Sequence, residues 1–203
     1  MVNTRYLTIG KPGKSLYKVK GSKHFGYTFN VKTEDDIESR LAEVAKEHHS
    51  ARHVCYAWRL GPDKKRYRAN DDGEPSNSAG KPILGQIEKY DLTNTLIAVV
   101  RYFGGTKLGV GGLIDAYRTA AAEAIEDGNV VEKQLMDHFS VHFDYSRMSD
   151  VMLLIRKNDW DVVDQDFKVT CRIDMEILPD NLEAFKAEFT PFNDINLKYH
   201  GRF

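Results

Sequence analysis

Thr95-Leu96-Ile97-Ala98-Val99-Val100-Arg101-Tyr102-Phe103-Gly104-Gly105-Thr106-Lys107-Leu108-Gly109-Val110-Gly111-Gly112-Leu113 passes from an apolar run, through a loop holding five glycines, into an alanine-rich stretch. An apolar run without polar alternation predicts a strand, Thr95–Phe103, buried on both faces. The alanine-rich stretch predicts a helix from Leu113 to about Asp127, stopped by Gly128-Asn129. A glycine loop between such elements calls for positive φ and close strand–helix packing, so Gly105 and Gly111 are expected to reject a β-branched side chain.

Upstream, His53–Leu60 alternates, with Val54, Tyr56, Trp58 and Leu60 on one side and His53, Cys55, Ala57 and Arg59 on the other. The turn Gly61–Lys65 separates it from Tyr67-Arg68-Ala69, its expected antiparallel partner. A further helix is expected to start near Ala79–Pro82 and to run through Ile83, Leu84 and Ile87. Further out, Phe25, Tyr27, Phe29 and Val31 share one face of a strand. Thr33-Glu34-Asp35-Asp36 reads as a capped helix start, followed at helical spacing by Ile37, Leu41, Val44 and Ala45.

Downstream, Val130–Gln134 reads as a connection, after which a second pattern begins. Phe139–Phe143 alternates, Ser149–Lys157 has a helical apolar stripe, and strands are expected at Asp161–Phe167 and Lys168–Leu178. Asn181–Phe189 reads as a helix and Asn196–Tyr199 as a last strand. The order β-α-β-β-α-β is the ferredoxin-like one. The fold class is therefore read as α+β, with domains at 1–130 and 135–203, which suits 203 residues.

Hydrophobic residues at 41%, charged residues at 29% and a mean hydropathy of −0.50 exclude a mainly disordered chain. No apolar run nears the roughly 18 residues of a membrane span, and Met1–Arg5 lacks the apolar centre of a secretory signal. A cytoplasmic location and no membrane partner are expected. Cys55 and Cys171 are the only cysteines and form no C-x-x-C pair, which excludes a disulfide framework and a zinc finger. Net charge is −1, yet residues 1–130 hold 20 basic against 16 acidic side chains and residues 131–203 hold 9 against 14. The first part can face phosphate; the second would repel it.

Two segments carry candidate chemistry. In the glycine loop, Gly104, Gly105, Gly109, Gly111 and Gly112 expose backbone N–H groups to an anion, and Lys23, Arg101 and Lys107 supply charge. It is neither a Walker A loop nor a complete G-x-G-x-x-G, since Ile114 holds the last place. The second segment, Asp71-Asp72-Gly73-Glu74-Pro75-Ser76-Asn77-Ser78-Ala79-Gly80-Lys81-Pro82, gathers three carboxylates and two hydroxyls ahead of a helix. They could hold Mg²⁺, or Asp71 and Asp72 could order the turn while Ser76 or Ser78 caps the helix; the latter reading leaves Glu74 without a role. His53 and Cys55 point the same way on their strand but lack an orienting third group. No catalytic residue, metal site or cofactor is assigned.

Together, His53–Ala57, Asp71–Pro82 and Arg101–Leu113 resemble the IMPACT family, bacterial YigZ branch, over roughly Val19–Glu126. The resemblance implies a first domain like ribosomal protein S5 domain 2 and domain IV of elongation factor G, and a ferredoxin-like second domain like that factor's domain V. It also implies RNA or ribosome association, with a translation-related role. His53, Asp71, Asp72, Gly73, Glu74, Pro75, Ser76, Ser78 and Gly80 match motif positions of unknown role. Asn77 stands where the family usually has glycine, Asp115 where a basic residue is common, and Arg52-His53-Val54 where Thr-His-Asn is usual. Eukaryotic relatives reach a stress-kinase pathway through an RWD domain for which this chain has no room, so no such partner is expected. The two functions left are a non-catalytic RNA- or ribosome-binding protein and a metal-assisted hydrolase or phosphoryl-transfer enzyme using Asp71, Asp72 and Glu74.

Overall fold

The computed structural model describes residues 4–202, so Met1–Asn3, read above for a leader, lie outside the described residues. Packing divides the chain between Lys133 and Gln134. The first unit runs β1 (Arg5–Ile9), β2 (Gly13–Val19), β3 (Ser22–Asn30), α1 (Glu34–Glu47), β4 (His53–Leu60), β5 (Arg66–Asn70), α2 (Gly80–Lys89), β6 (Thr95–Tyr102), α3 (Gly109–Gly128) and β7 (Val130–Gln134). Five strands make an antiparallel sheet in the order β2-β3-β6-β4-β5.

The sheet has a core on each face, which is why Leu96–Val100 of β6 are apolar without interruption although its neighbours are antiparallel. Tyr27, Phe29, Val31, Trp58, Leu60, Leu96, Ala98 and Val100 pack with Ile37 and Val44 of α1. On the other face Cys55, Ala57, Ile97 and Val99 meet Ile83 and Ile87 of α2 and Leu113, Tyr117, Ala120, Ala121 and Ile125 of α3. Helix α1 opens with the expected cap: Thr33 Oγ1 accepts from Asp36 N–H at 3.1 Å while Asp36 Oδ2 accepts from Thr33 N–H at 3.0 Å. Ala45, expected on the buried stripe, is exposed, because Ile37 and Val44 alone face the core fully.

Small residues let α3 approach β2 and β3 backbone to backbone. A Cβ on Gly26 would stand 2.5 Å from the Ala120 carbonyl oxygen, and one on Gly13 2.3 Å from that of Ala124. The helix begins at Gly109, four residues before the expected Leu113, so Gly109, Gly111 and Gly112 lie in its first turn. Gly105 has φ +87°, but Gly111 is helical, and a Cβ there meets nothing within 4 Å. The expected backbone requirement at Gly111 is overturned. It falls on Gly104 instead, where a Cβ would be 1.8 Å from the Gly21 carbonyl carbon in the β2–β3 turn.

That turn is a two-residue hairpin with Lys20 at φ 45° and Gly21 at φ 79°, the primed geometry that suits twisted strands. The Gly104 N–H donates to Ser22 Oγ at 3.1 Å, so hairpin tip and glycine loop form one surface. Gly104→Ala is expected to cost about 1–3 kcal/mol through overpacking, measured as a fall in urea midpoint. Gly111→Ala should be neutral or stabilising by up to about 1 kcal/mol.

Strands β1, β2 and β7 differ from the sequence expectations. Arg5–Ile9 and Gly13–Val19 carry weak alternation and were not anticipated. Val130–Gln134, expected as a mere connection, is a strand paired with β1.

The second unit comprises β8 (Asp137–Asp144), α4 (Met148–Asn158), β9 (Asp161–Phe167), β10 (Thr170–Ile177), α5 (Leu182–Phe189) and β11 (Asn196–Arg202), in the element order expected. Its antiparallel sheet has the order β11-β8-β10-β9. Phe139, Val141 and Phe143 of β8 and Cys171, Ile173, Met175 and Ile177 of β10 bury against Val151, Leu154 and Ile155 of α4 and Phe185 and Phe189 of α5. Asp137 is fully buried, held by both Arg202 Nε at 3.0 Å and Nη2 at 2.8 Å, with Tyr199 donating at 2.8 Å. No helix among the described residues is long and apolar enough to cross a membrane.

Candidate nucleic-acid interface

Two cross-strand rows end the first sheet beside the glycine loop. Lys18, Lys23 and Tyr102 are paired across β2, β3 and β6 and so share the α1 face. Tyr17, His24, Arg101 and His53 are paired across β2, β3, β6 and β4 and share the opposite face. The first row is basic and exposed; the second is largely interior.

The Asp71–Gly80 segment closes over that interior row, and each of its carboxylates has a separate task. Asp71 accepts backbone N–H bonds from Asn77 at 2.8 Å, Ala79 at 2.9 Å and Gly80 at 2.8 Å, supplying the start of α2 with the cap that it otherwise lacks. Neither Ser76 nor Ser78 caps: Ser78 Oγ–H donates to the Pro75 carbonyl at 2.6 Å, and Ser76 Oγ accepts from the Asn77 side chain at 3.2 Å. Asp72 Oδ2 accepts the Val54 N–H at 2.6 Å, pinning the loop to β4. Gly73 at φ +85° and Asn77 at φ +62° take left-handed conformations, and asparagine is the side chain that best replaces glycine there. The departure from the family pattern at Asn77 therefore preserves the loop.

Glu74 turns inward. Its Oε1 accepts from Arg101 Nη1 at 2.6 Å and from the Tyr117 hydroxyl at 2.9 Å, and the two ion-pair side chains are 4% and 9% exposed. Arg101, expected to meet an anion, is thus committed to the interior. No group of three His, Cys, Asp or Glu side chains able to hold a metal ion occurs among the described residues, and the three carboxylates point to three different partners.

Cys55 is fully buried, and its thiol donates toward the Asp71 carbonyl at 3.0 Å or the Tyr117 hydroxyl at 3.4 Å. Burial first, then the nearby carboxylates, push it up to about 12, the opposite of an activated nucleophile. His53 Nδ1 lies 2.7 Å from the Asp72 carbonyl oxygen. A carbonyl only accepts, so Nδ1 bears the hydrogen. On the second unit Ser140 Oγ lies 2.6 Å from both Asp174 Oδ1 and His200 Nε2. Its single proton goes to the carboxylate, which leaves His200 as donor to Ser140 and not as its base.

What stays outward is the basic tip. Lys18, Lys20, Lys23, Arg52 and Lys107 are exposed, and none is in an ion pair among the described residues. The α3 N-terminus has no side-chain cap, so the N–H groups of the largely exposed turn around Gly109, Gly111 and Gly112 follow directly on Lys107. Asp115, which would lower the potential there, pairs with Arg118 at 2.9 Å. A cleft of about 410 Å³ is lined by Ser50, Arg52, His53, Arg101, Tyr102 and Phe103. A second, of about 480 Å³, is lined by Gly21, Lys23, Phe25, His48, Tyr102 and Phe103.

Sequence patterns singled out Lys23, Lys107 and the glycines of this candidate face and not Lys18, Lys20, Arg52, Phe25, His48 and Phe103, which the structure places beside them. The two lysines of Lys18-Val19-Lys20-Gly21, one on each side of Val19 where the strand runs into its turn, were the available signal. Tyr117, reached from Ala-rich α3, had none.

The Impact N-terminal domain model matches residues 20–125. The chain is 34% identical over 155 residues to the IMPACT family member YvyE of Bacillus subtilis, covering 76% of this chain and 71% of that one. It is 29% identical over 164 residues to the IMPACT family member YigZ of Escherichia coli, covering 78% and 80%. A crystal structure of a hypothetical protein has the same fold at 24% identity, with a TM-score of 0.73 over 98% of each chain.

Proposed function

The chain belongs to the IMPACT family, and from that premise we propose that it is a non-catalytic, cytoplasmic RNA- or ribosome-associated protein, a translation-related factor, whose interface is the basic tip of the first unit. The observation that carries this reading is the set of five exposed basic side chains with no ion-pair partner among the described residues, Lys18, Lys20, Lys23, Arg52 and Lys107, together with the uncapped helix N-terminus that follows Lys107. Phosphate contacts of this kind position nucleic acid without reading sequence. The strand order β11-β8-β10-β9 with two helices supports a ferredoxin-like second unit. The S5-domain-2-like assignment of the first unit rests on the family resemblance alone.

The carboxylate-centred enzyme loses its ground because Asp71, Asp72 and Glu74 each serve the loop's own architecture. Binding of the full chain to structured RNA and to ribosomal particles should fall steeply with salt. Each phosphate contact contributes about 0.7–0.9 to the log–log slope. Lys20→Glu with Lys107→Glu should lower affinity about tenfold or more and flatten the slope by about 2, across all sequences tried. Asp115→Arg should strengthen binding. Absence of salt-sensitive binding by the parent at low ionic strength would refute the reading.

A further inference from the structure

Phe103 is 59% exposed at the end of β6, with the Arg101 guanidinium 5.6 Å from its ring centroid. It stands between the two clefts and lines both. The larger cleft has an aromatic wall: the Phe25 and His48 rings lie 4.9 Å apart, Phe25 and Tyr102 5.8 Å, and His48 and Tyr102 5.7 Å. Hydrogen bonds fix this wall. His48 Nε2 is 2.5 Å from the Tyr27 hydroxyl and Nδ1 3.0 Å from the Tyr102 hydroxyl. The Tyr27 proton goes to Glu47 Oε1, 2.9 Å away, so His48 Nε2–H donates to Tyr27 and Nδ1 accepts from Tyr102. At the rim stands Lys23, with Lys18 directly across on β2.

A fixed aromatic wall, an exposed ring and an ammonium at the rim form the combination that receives an unpaired nucleotide. The base stacks on a π face and the phosphate meets the cation. The cleft volume lies within the range of small-ligand sites. An A-form duplex keeps its bases inside and offers side chains mainly phosphate and 2′-hydroxyl groups, which would engage the lysines and leave Phe103 idle. We propose that the first unit selects single-stranded RNA over duplex by taking one base between Phe103 and the Phe25–His48–Tyr102 wall, with the adjoining phosphate on Lys23. The inference rests on the RNA-binding reading of this face and names the form of RNA.

The test is fluorescence anisotropy of the full chain with a labelled, unstructured RNA oligonucleotide and with a fully paired RNA duplex of the same strand length. The parent should bind the single strand about tenfold more tightly, the effect of roughly one stacked base. Phe103→Ala should abolish that preference without weakening duplex binding, and Phe103→Trp should keep it. Lys23→Glu should weaken both. Equal affinity of the parent for the two forms, or a preference untouched by Phe103→Ala, overturns the inference while the RNA-binding reading stands. Failure to bind either form overturns both. Phe103 is exposed, so thermal unfolding of Phe103→Ala at the parent temperature confirms that any loss is not one of folding.

Discussion

Glu74→Leu should destabilise the first unit by about 3–5 kcal/mol in urea unfolding, the usual cost of leaving one member of a buried ion pair uncompensated. The Glu74 and Arg101 side chains are 4% and 9% exposed and 2.6 Å apart, so the guanidinium left behind cannot recruit water cheaply. Its Nε is already buried without a partner among the described residues, and the Tyr117 hydroxyl would lose its acceptor as well. Arg101→Met alone should cost a similar amount, because it strands the carboxylate. The double variant Glu74→Leu/Arg101→Met should recover most of the loss, since well-packed apolar replacements of buried ion pairs are often neutral or better. A loss below about 1 kcal/mol in Glu74→Leu would show that the pair is solvated and contradict this account.

The same pair explains why three separated sequence segments go together. Glu74 sits in the loop over α2, Arg101 at the end of β6, and Tyr117 on α3, while Cys55 of β4 reaches toward both Tyr117 and the Asp71 carbonyl. Losing this interior network would loosen the β6 end and the loop that present the basic tip. On the proposed RNA-binding reading, a reduced affinity in Glu74→Leu would thus be indirect, and the double variant should restore it.

Periodicity made much of the architecture readable. Alternation in Phe25–Val31 and His53–Leu60, and the uninterrupted run Thr95–Val100, report burial directly, because each side of a strand meets its own environment. The Thr33–Asp36 cap is a local chemical signal and was equally plain. Strand β2 was not, because its pattern Gly-Lys-Ser-Leu-Tyr-Lys-Val mixes an exposed Leu16 with a glycine that yields to the backbone of α3. The sequence pattern places the start of helix α3 too late because Gly109, Gly111 and Gly112 have low helix propensity, although the largely exposed turn they form is helical. At the candidate interface, residue type suggested charge but not its use. Arg101 and Lys107 look alike in sequence, yet register places Arg101 beside buried His24 and leaves Lys107 in the open loop.

Acid should weaken the first unit between about pH 6.5 and pH 4 through His24, a residue with no evident role in its sequence context. His24 is fully buried, and neither ring nitrogen has a hydrogen-bond partner among the described residues. The Tyr117 ring stands 5.2 Å away edge-on and that of Tyr17 at 6.4 Å. Burial, and secondarily the Arg101 charge, lower its pKa from 6.5 to about 4, with Glu74 opposing. A depressed histidine is neutral in the folded protein while the unfolded chain takes up a proton, so its contribution is complete above pH 6.5 and is lost as pH falls toward 4. The loss is on the order of 3 kcal/mol. His48, also lowered by burial, acts in the same direction. Asp36 and Glu47 are held below their usual 3.8 and 4.5 by hydrogen bonds, so their contributions begin to be lost only at the acid end of this window and below it, and the decline above about pH 5 reports the histidines. His24→Leu removes a polar ring whose nitrogens are unpaired, and should raise stability at neutral pH and flatten the decline. Urea midpoints measured from about pH 7 to pH 4 give the test. If parent and His24→Leu decline with the same slope, the pKa of His24 is not lowered by folding, and the buried row beside Arg101 tolerates a proton that burial should exclude.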